Sequence, residues 1–173
     1  VGEIARRAGY PYEKHEIVTE DGYILILERL PQPESKEALY FQHGVLDTSW
    51  AWFSSGQVSL IFQAYEKGYD VFVGTFRGCD GKIRHSDPKI TSKKYWDFTV
   101  NEHGSKDYSA FIENIVKIKN KELGVPEPII DEEPLKPHGF TIQVIAHSVR
   151  TFLACLSSSK AIFHYPCFFY AIW

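Results

Sequence analysis

The chain has 173 residues, of which 44% are hydrophobic and 24% charged, and a net charge of −3. That size and balance suit one globular domain with a real core, and the slight acidity without any Lys/Arg run argues against nucleic acid as a partner. No stretch is apolar for the length a transmembrane span needs, and the three cysteines, Cys79, Cys155 and Cys167, lack metal or redox spacing and read as buried or incidental thiols.

Residues 12–19 alternate loosely, Glu20-Asp21-Gly22 signals a turn, and residues 23–30 carry the apolar run Ile24-Leu25-Ile26-Leu27. This predicts a β-hairpin, with the Asp-Gly pair supplying positive φ. Residues 38–42 form a short apolar strand that ends at His43-Gly44. A helix capped by Ser54 or Ser55 follows, with Val58, Ile61, Phe62 and Tyr65 on one face and Gly68 as its left-handed terminator. Residues 69–74 read as a strand buried on both faces, as parallel sheets require. Tyr108, Phe111, Ile112, Ile115 and Ile118 mark a second amphipathic helix. Asp107 near its start and Lys117, Lys119 and Lys121 near its end match the helix dipole, and Gly124 and Pro126 stop it. After a proline-rich loop, residues 140–145 form a further strand and residues 151–156 the body of the next helix.

A leading hairpin followed by strand–helix–strand units implies an α/β fold with a mostly parallel sheet and flanking helices. Residues 165–173 stand apart, because Phe168-Phe169-Tyr170-Ala171-Ile172-Trp173 is apolar throughout. The tail either packs at the edge of the sheet or is not native to this fold, so the domain is drawn as 1–164 with 165–173 as an aromatic tail. A sheet ending at the strand before Ser148 would carry an unpaired edge, which predicts poor solubility. Methionine is absent, at position 1 included, which implies a start upstream, and the first ten residues have no signal-peptide pattern.

The chemistry centres on Ala146-His147-Ser148-Val149-Arg150. A serine on a tight strand-to-helix turn presents its hydroxyl above the sheet, where the helix N-terminus favours developing negative charge. Two readings stand: a nucleophile, or a serine that only caps the next helix. His43-Gly44-Val45 ends an earlier strand, where one oxyanion-hole amide would lie. The two donors would be the backbone N–H groups of Val45 and Val149. His147 adjoins Ser148 but points elsewhere on such a turn, and His43, His85 and His103 read as surface or supporting histidines. Only 25 residues follow Ser148; none is Asp or Glu, and His164 is their one histidine.

Several segments together resemble the acid lipase family of α/β-hydrolases, which contains gastric, lysosomal and plant lipases. They are Gly9-Tyr10-Pro11-Tyr12-Glu13-Lys14-His15, Val18-Thr19-Glu20-Asp21-Gly22-Tyr23, Gln42-His43-Gly44, Gly68-Tyr69-Asp70-Val71, Arg77-Gly78, and Tyr95-Trp96-Asp97-Phe98 leading to Asn101-Glu102. The resemblance implies the N-terminal portion of an α/β-hydrolase fold, truncated after the nucleophile turn. It also implies hydrolysis of triacylglycerols or sterol esters with Ser148 as nucleophile, no metal or organic cofactor, and peripheral contact with a lipid surface. The family pattern Gly-His-Ser-x-Gly is departed from at Ala146 and Arg150, and the triad Asp and His have no counterpart here. The isolated chain is therefore expected to be inactive. The alternative is a degenerate, non-catalytic hydrolase remnant or a lipid- or partner-binding module.

Overall fold

The computed structural model describes residues 1–125, 139–148 and 167–172. Six strands pair into one sheet: β1 (Glu13–Val18), β2 (Ile24–Leu30), β3 (Glu37–Gln42), β4 (Asp70–Thr75), β5 (Thr141–His147) and β6 (Cys167–Ile172). Their spatial order is β1-β2-β4-β3-β5-β6. β1 and β2 form the antiparallel hairpin, β2 lies antiparallel to β4, and the strands from β4 through β3 and β5 to β6 are parallel. The hairpin turn forms as the Asp-Gly pair requires: Gly22 takes φ +90 and its N–H donates to Thr19 O at 2.9 Å.

Helices cover both faces, as a parallel sheet demands. On one face lie α1 (Gly2–Arg7), α2 (Trp50–Phe53) and α3 (Leu60–Glu66), whose Ala5, Phe53, Ile61 and Phe62 pack with Leu39, Phe41, Val71 and Val73 of the sheet. α4 (Ser92–Tyr95) and α5 (Val100–Glu102) precede a π turn over His103–Tyr108 that runs directly into α6 (Ser109–Leu123). α6 covers the opposite face, packing Phe111, Ile112, Ile115 and Val116 on Leu25, Leu27, Tyr40, Phe72 and Val144. Gly74 lies between Tyr40 and Phe111, where a Cβ would stand 3.0 Å from the Phe111 ring. Glycine there lets helix and sheet close together.

Four expectations are corrected. The cap of α3 is Ser59, not Ser54 or Ser55, because a 3₁₀ turn over Gly56–Val58 intervenes and leaves Val58 exposed. Gly68, at φ +92, does terminate that helix. Asp107 is no dipole residue, since the helix already begins at Val100, behind a capping box of Thr99 and Glu102. It is fully buried and holds Arg77. Lys119 is likewise buried, and its Nζ donates to Asp70 Oδ2 at 2.7 Å. Arg29 clasps the same carboxylate with Nε to Oδ1 at 2.8 Å and Nη2 to Oδ2 at 2.6 Å. This buried pin joins β2, β4 and α6. Finally, β5 is not an edge. It pairs with β6 from Ile142↔Cys167 to His147↔Ile172. A continuous apolar run is the composition a parallel strand takes, so the same pattern that marked β4 accounts for β6. The helix expected over 151–156 lies outside the described residues.

Candidate active site

Three parallel strands, β4, β3 and β5, end along the same edge of the sheet, the position where α/β sheets gather functional groups. β5 delivers Ser148. Its φ is +76, a left-handed value that costs a residue with a Cβ and that persists only where surrounding structure enforces it. The sharp turn leaves Ser148 half-buried and His147 exposed. Ala146, two residues before, is fully buried in register with Gln42 of β3 and Ala171 of β6. Its methyl group is accommodated where the family pattern has glycine.

β3 delivers His43-Gly44-Val45 against this turn. A Cβ built on Gly44 would stand 3.5 Å from Ser148 Cβ and 3.0 Å from His147 Nδ1. Gly44 therefore brings the loop backbone up to the serine. The Gly44 carbonyl accepts from Asp47 N at 3.2 Å, closing a four-residue turn. Leu46 occupies the third position with φ +69 and is 93% exposed. A bulky residue in the left-handed region, with no burial to compensate it, is a second strained backbone, two residues on from Gly44. Among the described residues the Val45 N–H donates no hydrogen bond. Val149 and Arg150 lie outside the described residues, so the second expected oxyanion donor does too.

Beneath the loop, His43 is buried, with Nδ1 2.7 Å from Gly44 O and Nε2 3.2 Å from Phe76 N. Burial lowers its pKa, so the ring is neutral at neutral pH. The expectation of a surface or supporting histidine resolves to support. Phe76, just past β4, is flanked by two imidazoles. His43 meets it edge-on at 5.3 Å and His103 stacks on it at 4.7 Å with 3° between planes. Burial, aided by the Arg77 guanidinium, lowers His103 to about 4.

Arg77 follows Phe76. Its backbone N–H and Nε donate to Asp107 at 2.9 and 2.7 Å, and its outer nitrogens donate to Asp21 in the hairpin turn at 2.8 and 3.0 Å. The guanidinium also lies 3.8 Å from the Tyr23 ring centroid. These groups hold the end of β4 against both the hairpin and the π turn. Arg77-Gly78 stands out in the sequence, but nothing there points to its partner Asp107, 30 residues on. His85 sits apart, with Nε2 3.0 Å from Asp21 O at the hairpin. Cys79 is half-buried, and burial pushes its thiol up to about 11, so it stays protonated. Among the described residues no group of three His, Cys, Asp or Glu could hold a metal ion, and no helix is long and apolar enough to cross a membrane.

Residues 1–56 match the model of the partial α/β-hydrolase lipase region. Human lipase member J is 35% identical over 131 residues, 70% of this chain and 36% of that protein. Mouse lipase member K is 34% identical over 125 residues, 68% of this chain and 31% of its own length. A Crotalus adamanteus protein provisionally named as a lysosomal acid lipase/cholesteryl ester hydrolase is 34% identical over 130 residues, 70% of this chain and 32% of its own length. The chain thus spans about a third of the length of the curated relatives it matches. Among solved structures, the Pyrococcus furiosus esterase Pf2001 superposes with a TM-score of 0.55 at 20% identity, covering 90% of this chain and 51% of that one.

Proposed function

Since the chain belongs to the acid lipase family of α/β-hydrolases, whose N-terminal part it matches, we propose that its site serves the cleavage of lipid carboxylic esters, triacylglycerols or sterol esters, through an acyl-enzyme on Ser148. The observation that carries this reading is the left-handed Ser148 at the end of β5 with Gly44 packed against it. In the proposed reaction Ser148 Oγ attacks the ester carbonyl carbon while a general base takes the hydroxyl proton. The carbonyl oxygen becomes an oxyanion that accepts from the Val45 and Val149 amides. The C–O bond to the alcohol then breaks, the alcohol leaves with the proton, and water hydrolyses the acyl-serine. A lipid ester has a long apolar acyl chain, and the exposed Leu46 of the turn after Gly44 and Trp50 at the start of α2 supply apolar surface for it or for the lipid aggregate that presents it.

A triad also needs an acid and a histidine, in that order after the serine. None of the 25 residues after Ser148 is Asp or Glu. We therefore assign these 173 residues the nucleophile and both oxyanion donors of the machine, Val45 and Val149, without turnover of their own. The test is labelling by a fluorophosphonate with imidazole added as an external base, read by peptide mass spectrometry. Modification at Ser148 that vanishes in Ser148→Ala is the expected result, together with no hydrolysis of a short-chain nitrophenyl ester above the Ser148→Ala background. Labelling that survives Ser148→Ala would remove the nucleophile, and Ser148-dependent ester turnover without imidazole would overturn the inactivity.

A further inference from the structure

We propose that His43 is a positioning residue for the oxyanion amide of Val45, acting as an Nδ1–H imidazole that fixes the Gly44–Val45 peptide. The inference rests on the lipid-esterase reading for its purpose but not for its geometry. Two partners determine the ring's proton. Phe76 N–H can only donate, so Nε2, 3.2 Å away, must present a lone pair. Gly44 O can only accept, so Nδ1, 2.7 Å away, must carry the hydrogen. Both contacts demand the same neutral tautomer, and neither tolerates its alternative.

The Gly44 carbonyl and the Val45 N–H belong to one planar trans peptide, in which the two dipoles point opposite ways. Drawing the carbonyl toward the buried ring turns the amide hydrogen away from it. That hydrogen meets no acceptor among the described residues, and the loop that carries it packs on Ser148. A donor left unpaired beside a strained serine is what an oxyanion requires, and an aligned donor is what makes it effective.

His43 is itself held from behind. The backbone on the far side of Phe76 is anchored, since Arg77 N–H donates to Asp107 Oδ2 at 2.9 Å. The Phe76 ring is fixed by its stack on His103. Asp107 and His103 both belong to the π turn, a local widening that recurs at functional sites. A continuous strut therefore runs from the π turn through the Phe76 backbone and the His43 ring to the Gly44–Val45 peptide. It explains why the helix carries that irregularity at this place.

The experiment is nuclear magnetic resonance on the isotope-labelled chain at pH 7. Long-range proton–nitrogen correlation is expected to give His43 a protonated Nδ1 and a bare Nε2. Two variants separate the halves of the strut. His43→Asn keeps a donor near the Nδ1 position, whereas His43→Gln places an acceptor near the Nε2 position and loses the donor. The Gly44 carbonyl carbon should move upfield and the Val45 amide should lose order in His43→Gln but not in His43→Asn. Ser148 labelling in imidazole should fall about tenfold in His43→Gln alone, a fraction of the loss when an oxyanion donor is deleted outright. An Nε2–H tautomer, or a Gln variant with the Gly44 and Val45 signals of the wild type, overturns the proposal. If His43→Gln loses the amide pattern of β4, the tautomer and His43→Asn decide it. Failure of Ser148 to label in the wild type counts against the esterase reading alone, because the carbonyl and amide signals still judge His43.

Discussion

Acidification should destabilise the fold through His103, and the size of the effect follows from its surroundings. The ring lies flat on Phe76, is nearly inaccessible to water, and faces the Arg77 guanidinium, with His43 on the same side and Glu102 as the opposing carboxylate. Burial is the largest influence and the Arg77 charge the next, and together they lower its pKa from 6.5 to about 4. The unfolded chain therefore takes up this proton over the window from about 6.5 down to about 4, while the folded chain refuses it. Stability from His103 is complete above that window and is lost as pH falls through it. At about 1.36 kcal/mol for each pH unit between the two values, the full loss is about 3 kcal/mol. Most of it, about 2.5 kcal/mol, is gone by about pH 4.5. His103→Phe keeps a flat ring against Phe76 and removes the titration. Urea unfolding at pH 7 and pH 4.5 on both proteins isolates the effect, because every other titrating group is shared. The wild type should lose about 2 kcal/mol more than the variant between the two conditions. Parallel losses would refute the assignment and mean that His103 is protonated in the folded chain or exposed to water.

Two further outcomes test the frame and the site. Asp70→Asn removes the one fully buried carboxylate that both Arg29 and Lys119 grip, leaving two buried cations to the partly exposed Glu122 and Glu13. A loss of about 3–5 kcal/mol in urea unfolding is expected, and a loss below about 1 kcal/mol would show that Glu122 and Glu13 suffice. Gly44→Val places methyl groups against Ser148 Cβ and the exposed His147 ring, which can swing aside. Its melting temperature should stay close to the wild type while Ser148 labelling falls at least about tenfold, the scale of a displaced oxyanion loop; unchanged labelling would place the loop away from the reacting hydroxyl.

What the sequence made legible was what short range encodes. Asp21-Gly22 set the hairpin because only local φ values were at stake, and Gly68 and Gly124 marked helix ends for the same reason. The turn at Ser148 was legible because a buried strand without a helical pattern ran into it. What escaped was pairing across distance. Asp107 and Lys119 sat where a helix dipole wants their signs, so the local explanation sufficed, yet their partners Arg77 and Asp70 lie 30 and 49 residues away. Periodicity also could not reveal the π turn, since Phe111, Ile112 and Ile115 keep ordinary spacing once the widened turn has passed. That omission hid His43 as well. A histidine after a strand looks incidental until the π turn anchors the Phe76 backbone and the Phe76 amide in turn claims Nε2. The left-handed backbone at Ser148 and Leu46 also escaped, because at a serine and a leucine it runs against local preference. Residues that violate their own propensities thus mark this site more sharply than those that obey them, and the segments that carry it follow the carboxyl ends of β3, β4 and β5.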